Sequence, residues 1–164
     1  MEAGCRGARG GYAPGVSRLT RIRFWLVLFV IGLVLSGLTA FPLETEIRLL
    51  VRYVHTPWLD RVYAAVVDTN QRYPFLAYGT DWLAFAHLVI AAAFWGPIRD
   101  PVRNVWVVQF GMIACAGVVP LALIAGQVRG IPFGWRLIDM SFGVLGIVPL
   151  LLAYREIRRL PAVG

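Results

Sequence analysis

The sequence contains no lysine, only two cysteines and few charged residues of any kind. Charged residues make up 15% of its 164 residues and hydrophobic residues 59%, with a mean hydropathy of +0.68. Soluble globular domains carry about 25% charged residues, so this composition excludes that class. It indicates an integral membrane protein.

The two cysteines give no disulfide framework, because Cys5 lies in the N-terminal tail and Cys115 in the middle of an apolar run. Neither has the spacing of a metal-ligand set, and we expect no metal and no cofactor. The basic residues are scattered at segment ends and loops, so the net charge of +7 forms no continuous patch. We expect it to set membrane topology and to contact anionic lipid, with no nucleic-acid partner.

Four apolar stretches are near the roughly 20 residues that a helix needs to cross a bilayer. They cover residues 24–43, 81–98, 105–125 and 135–154. Residues 1–23 are rich in Gly and Arg and predict a disordered, basic, cytoplasmic tail, and residues 24–160 predict a single four-helix transmembrane domain. A signal peptide is the alternative for the first stretch, but that stretch exceeds the usual apolar core of roughly 7–15 residues.

Residues 44–79, between the first two stretches, have a helical pattern of their own. Thr56 is suited to cap a second helix there, and Pro57 to begin it. The predicted fold is therefore all-α, with four transmembrane helices and a two-helix extracytoplasmic cap between helices 1 and 2. The cap is expected either to seal the bundle or to cover a pocket as a lid.

Four ionisable residues interrupt the apolar stretches, namely Asp81, His87, Arg136 and Asp139. A charge at the bilayer centre costs roughly 2.5–3.5 kcal/mol, so such residues usually face a bundle interior. With both termini inside and a rise of about 1.5 Å per residue, all four are expected in the outer leaflet, where they would line one pocket. Arg136 and Asp139 share a helical face and are expected to form an ion pair.

The chemistry of this pocket is left open by the sequence. His87 and Asp81 are the candidate catalytic residues, with His87 exchanging a proton with substrate. The alternative is a core histidine that donates a hydrogen bond to a backbone carbonyl. A triad of Ser141 with His87 is disfavoured, because no nucleophile elbow surrounds the serine. The candidate ligand-binding residues are Arg136, Asp139, Ser141, Tyr78 and Trp82.

Three strings carry a resemblance to known proteins, namely YPFLAYGTDWLAFAH at residues 73–87, RDPVRN at 99–104 and RGIPFGWRLID at 129–139. They resemble those of a group of short, uncharacterised bacterial integral membrane proteins with four helices. The resemblance spans roughly residues 73–160, implies a bacterial inner (plasma) membrane and brings no activity. In layout the chain is also similar to the sterol-isomerase and sigma-2-receptor group, which has four helices and a polar cluster in a lipid-accessible cavity.

The topology and function follow as expectations. Ten arginines on one side of the predicted spans against six on the other favour cytoplasmic termini in a multi-pass protein. The predicted function is the binding of a small amphipathic or lipid-like ligand in the outer-leaflet polar pocket. The alternatives are a membrane enzyme that uses His87 on a lipid-soluble substrate and a structural accessory subunit. Expected partners are membrane lipid and the ligand, with a second copy or a partner membrane subunit also open.

Overall fold

The structure is a computed structural model that describes residues 14–160, with side chains from Arg18 to Leu160. The described part of the chain is all-helical and contains no strand. Its elements in chain order are α1 (Pro14–Ala40), α2 (Leu43–Tyr53), α3 (Pro57–Arg72), a 3-10 turn (Pro74–Ala77), α4 (Tyr78–Ala93), α5 (Trp95–Arg99), α6 (Val105–Val128) and α7 (Phe133–Ile157).

Within residues 14–160, four helical stretches are long and apolar enough to cross a membrane. They are Arg18–Ala40, Pro74–Arg99, Val105–Val128 and Phe133–Ile157. The all-α class is confirmed, and each of the four predicted spans corresponds to a helical stretch of sufficient length and apolarity. The chain has the build of a multi-pass membrane protein.

The first helix begins earlier than the sequence predicted. We expected a disordered tail up to residue 23, but α1 begins at Pro14, and residues 1–13 of that tail lie outside the described residues. Proline suits a first helical position, and the arginines that follow are good helix formers. Ile22 is fully buried, so this first part of α1 is held by packing.

Residues between the first two spans form two helices, as their periodicity predicted. The Oγ1 of Thr56 accepts a hydrogen bond from the N–H of Leu59 at 3.2 Å, and Pro57 is the first residue of α3. This is the arrangement expected of an N-cap followed by proline. α2 and α3 pack against each other, and we call residues 43–72 the α2–α3 segment.

The four spans pack as a row of antiparallel neighbours. α1 packs against both α4 and α7, and α7 packs against α6, so α1 and α7 are the inner helices. The bundle has two distinct ends. At one end α1 begins, α5 leads into α6 and α7 ends, and we call this the arginine end. The opposite end, which carries the α2–α3 segment, is the cavity end.

Large apolar side chains fill the arginine end. The ring of Phe94 is fully buried between α1 and α6, with its centroid 4.8 Å from that of Phe29. It lies against Gly111, where an added Cβ would come within 2.7 Å of the ring. The buried cluster consists of Ile22, Leu26, Phe29, Phe94, Val107, Val108, Leu150, Ala153 and Ile157.

Arginine side chains tie the helix termini together at the same end. Arg18 donates to the carbonyl of Arg159 at 3.0 Å, and Arg23 donates to the carbonyl of Ile98 at 3.1 Å. From residue 18 to residue 160, this end carries eight arginines against two carboxylates, a net charge of +6. The cavity end carries six arginines against six carboxylates, a net charge of zero.

Candidate functional site

His87 lies at the contact between α1 and α4. The two helices approach closely at Gly37, where an added Cβ would come within 3.1 Å of the His87 Cβ and 3.0 Å of the Ala84 carbonyl oxygen. The Nδ1 of His87 is 2.8 Å from the carbonyl oxygen of Leu83. A carbonyl only accepts, so this contact requires a hydrogen on Nδ1 and leaves Nε2 as the acceptor of a neutral ring. The local geometry is that of a histidine satisfied by its own helix.

Arg136 lies at a different contact, between α6 and α7. Its aliphatic stem crosses Gly126, where an added Cβ would come within 2.5 Å of the Arg136 Cδ. The guanidinium carbon is 5.3 Å from the centroid of the Phe133 ring. The Nε atom is buried without a hydrogen-bond partner, and it is the one such side-chain atom found among the described residues.

The predicted ion pair of Arg136 with Asp139 is wrong. No salt bridge joins the two within the described part of the chain, although they share a helical face. The reason is the direction of the Arg136 side chain, which lies across Gly126 and over Phe133. Helical spacing allowed the ion pair, but the Arg136 side chain packs on the neighbouring helix α6 instead.

The four ionisable residues do not form one bonded cluster. Asp81 and His87 belong to α4, Arg136 and Asp139 belong to α7, and α1 packs between these two helices. Among residues 18–160, no hydrogen bond or ion pair joins a member of the first pair to a member of the second. The Ser141 hydroxyl donates to the Ile138 carbonyl at 2.6 Å within its own helix, so it is not engaged with His87.

Tyr78 and Trp82 lie on the outer surface of α4. The Trp82 ring stacks edge-on against Tyr78 at 5.9 Å and against Phe85 at 6.1 Å. Tyr78 is 61% exposed and Trp82 57%, and neither lines the cavity at the α2–α3 segment or the one between α6 and α7. An exposed aromatic ladder at the start of a span is typical of the membrane interface.

An open cavity of about 380 Å³ lies at the cavity end, between the α2–α3 segment and the start of α4. It is bounded by the corner between α1 and α2, by one face of α3, by the 3-10 turn and by the start of α4. The lining residues are Phe41, Pro42, Leu43, Glu44, Thr45, Val62, Ala65, Val66, Thr69, Asn70, Leu76, Ala77 and Thr80. None of the seven residues singled out from the sequence is among them, although Thr80 directly precedes Asp81.

One hydrogen bond between side chains joins two of the helices that line this cavity. The Nδ2 of Asn70 donates to the Oε2 of Glu44 at 2.8 Å, which joins the end of α3 to the start of α2. Thr80 donates its hydroxyl hydrogen to the Ala77 carbonyl at 2.7 Å, and its oxygen remains able to accept. The remaining lining is mostly aliphatic, so the cavity is an apolar space with a few polar groups.

The sequence pattern missed Glu44 and Asn70. Neither residue interrupts a predicted span, so neither was singled out as a candidate. Two antiparallel helices joined at Thr56 bring the start of one beside the end of the other, so the predicted cap already contained the signal. Pairing its two outer ends would have found both residues.

A smaller cavity of about 240 Å³ lies between the end of α6 and the start of α7. Asp139 and Arg129 line it together with Gly126, over which Arg136 passes. Among the described residues, no group of three or more His, Cys, Asp and Glu side chains is placed to hold a metal ion.

The chain matches no protein-family model, no curated protein and no solved structure. The likeness in layout to the sterol-isomerase and sigma-2-receptor group therefore adds no functional residue here. Functional inference depends on the geometry of the cavity end.

Proposed function

We propose that this protein binds a small amphipathic ligand in the cavity between the α2–α3 segment and the start of α4. One observation supports this most directly, which is the cavity of about 380 Å³ with an aliphatic lining and a few polar groups at one side. Small-molecule sites are typically about 300–1,000 Å³, largely apolar, with a small number of polar groups that orient the ligand. The proposed ligand class is the one predicted from the sequence, but the proposed binding site is formed by other residues than those predicted.

The proposed membrane is the bacterial inner (plasma) membrane, with the arginine end in the cytoplasm and the α2–α3 segment outside. The net charge of +6 at the arginine end against zero at the cavity end supports this orientation, because cytoplasmic loops carry the excess of arginine. The test is labelling of Asp60→Cys with a membrane-impermeant maleimide in a background of Cys5→Ser and Cys115→Ser. Labelling in intact cells is expected, whereas labelling only after lysis would contradict the orientation.

The ligand is proposed to enter from the bilayer interface. α2 buries no residue, and several of its apolar side chains are exposed, with Tyr53 at 81% and Leu49 and Leu50 also exposed. A helix with one apolar face lies in the plane of the interface with that face among the acyl chains. The cavity next to α2 is then within reach of molecules dissolved in the lipid.

Catalysis by His87 with Asp81, and a role as an accessory subunit, remain predictions that no observation favours. His87 is bonded to its own helix, and no hydrogen bond between it and Asp81 is present among the described residues. The small residues of α6 are the surface that a partner helix would use, and one of them, Gly111, is covered by Phe94 and Leu150 of the same chain. Gly117 is open, with nothing within 4 Å of an added Cβ.

The binding proposal is tested by filling the cavity. Ala65 lines it and Ala64, its neighbour on α3, does not, and both are exposed residues. We expect detergent-purified wild type and Ala64→Trp to retain a ligand in native mass spectrometry, and Ala65→Trp to lose it. Solvent extraction of the wild type then identifies the molecule. No retained mass in any of the three proteins, or equal retention in all, would overturn the proposal.

A further inference from the structure

Glu44 is the one charged side chain that lines the larger cavity. Its Oε2 accepts a hydrogen bond from Asn70, and no salt bridge to it is present among residues 18–160. It lies in the first turn of α2, where the helix dipole favours a negative charge. The cavity therefore contains a fixed carboxylate without a cationic partner.

Other polar residues that line the cavity can accept hydrogen bonds from a ligand. Asn70 uses an N–H on Glu44, and its carboxamide oxygen accepts no hydrogen bond within the described residues. Thr45 and Thr69 line the same cavity, and a threonine hydroxyl can accept as well as donate a hydrogen bond. A carboxylate without a cation, beside groups that can accept, is suited to an ammonium group, which supplies a positive charge and three N–H donors.

We propose that the ligand is an amphipathic amine whose ammonium group binds at Glu44. Its apolar body lies along Val62, Val66 and Leu76, which line the same cavity. This inference rests on the proposed function and names the class of molecule that the cavity takes.

Charge separates this class from the other amphipathic molecules of a membrane. A ligand that fills the cavity removes water from Glu44, and a buried carboxylate is costly unless a cation or several donors compensate it. A fatty acid brings a second negative charge and is disfavoured. A phospholipid head brings a phosphate, and no arginine lines this cavity to neutralise it.

The test compares three probes with the same chain and different heads, namely decylamine, decanol and decanoate. Binding to delipidated protein is measured by titration calorimetry in a non-ionic detergent at pH 7, with Ala65→Trp as the measure of partitioning into the micelle. Wild type is expected to bind decylamine at least tenfold more tightly than decanol, and decanoate more weakly than either. Equal affinity for the amine and the alcohol, or tighter binding of decanoate, would overturn the amine assignment.

A matched pair of variants locates the charge. Glu44→Gln keeps an oxygen that can accept from Asn70 and removes the charge, whereas Glu46→Gln removes an equivalent charge in the first turn of α2 that does not line the cavity. Affinity for decylamine should fall at least tenfold in Glu44→Gln and stay within twofold in Glu46→Gln. Unchanged affinity in Glu44→Gln would contradict the inference. If that variant does not fold, the head-group comparison on wild type still decides.

Failure of the proposed function has a different signature. In that case none of the three probes binds wild type more tightly than Ala65→Trp, whatever its head group. If wild type binds all three probes more tightly than Ala65→Trp but without preference for the amine, the binding function is supported and the amine assignment is contradicted.

Discussion

The two ends of the bundle differ in how they are packed and in charge. At the arginine end, large side chains such as Phe94, Leu26 and Leu150 are fully buried, and the net charge is +6. At the cavity end, neighbouring helices approach closely at Gly37 and Gly126, two cavities remain, and the net charge is zero. The difference indicates that the spans are held together mainly at one end, while the other end leaves unfilled space.

Of the two differences, packing should affect the stability of the bundle more than charge does. Membrane helices associate mainly through van der Waals contact, because lipid tails are as apolar as the side chains. Contacts between large buried side chains therefore stabilise the bundle chiefly at the arginine end. The cavity end has fewer such contacts, so substitutions there should cost less stability than matched substitutions at the arginine end.

The largest effect is expected for Leu150→Ala, which empties a fully buried position in the arginine end. Such a cavity costs roughly 2–5 kcal/mol of unfolding free energy. The matched substitution at the cavity end is Leu76→Ala, which is expected to cost less than about 0.5 kcal/mol because Leu76 is exposed beside an existing cavity. Unfolding in mixed micelles with increasing SDS measures both. Equal costs would remove the distinction between the ends.

Two glycines on α6 test the same distinction with one added methyl group. An added Cβ at Gly111 meets the Phe94 ring at 2.7 Å and the Leu150 side chain at 3.0 Å, both of them buried, so Gly111→Ala should cost about 1–3 kcal/mol. At Gly126 the Cβ meets the Cδ of Arg136 at 2.5 Å and its Cγ at 2.7 Å, which belong to one partly exposed side chain outside the buried cluster, so a change of rotamer should relieve the clash.

Gly126→Ala and Gly117→Ala provide the stability changes against which Gly111→Ala is compared. Gly126→Ala is expected to cost less than about 1 kcal/mol, and Gly117→Ala, with open space around it, should be neutral or gain up to about 1 kcal/mol of helix propensity. A Gly126→Ala variant that is less stable than Gly111→Ala would show that Arg136 is held rigidly and that the cavity end is better packed than we infer.

A smaller and local effect is expected for Thr56→Ala, which removes the N-cap of α3. Loss of such a cap costs about 1 kcal/mol in the helix that it caps. Because α3 belongs to the cavity end, amide exchange should rise in its first turn while the unfolding midpoint of the spans stays unchanged. Thr39→Ala, which removes a hydroxyl bonded within α1 to Ser36, is the control and should leave exchange in α3 as it is.

The smallest effect is expected for His87→Ala. The substitution removes one hydrogen bond to the carbonyl of Leu83, and side-chain hydrogen bonds in membrane proteins contribute about 0.6 kcal/mol on average. Stability and amine binding should therefore stay close to wild type. Wild-type stability combined with a lost cellular function would instead favour the catalytic alternative for His87.

Much of the fold could be predicted from the sequence, because a span is determined by local composition. Apolar length located the four spans, and the Thr56-Pro57 step located the second helix of the α2–α3 segment. The start of α1 was missed because arginine is both a good helix former and a common residue of disordered tails. Local preference alone does not separate these cases.

The candidate site was less predictable, because it depends on which helices are neighbours. Depth along each helix placed Asp81, His87, Arg136 and Asp139 in one leaflet, but it carried no information on the packing of α1 between α4 and α7. The ion pair failed for the same reason, since the glycine that accommodates Arg136 is on α6. Glu44 and Asn70 are 26 residues apart, and only the packing of α2 on α3 brings them together.

Hydrogen–deuterium exchange with and without ligand tests the separation of the two ends most directly. Purified protein is stripped of bound lipid, and exchange is followed by mass spectrometry before and after decylamine is added, with Ala65→Trp as the control. Protection is expected to rise in residues 43–80 of wild type alone, while residues 105–111 and 150–157 exchange slowly in both states. Ligand-induced protection at the arginine end with none in residues 43–80 would contradict the account.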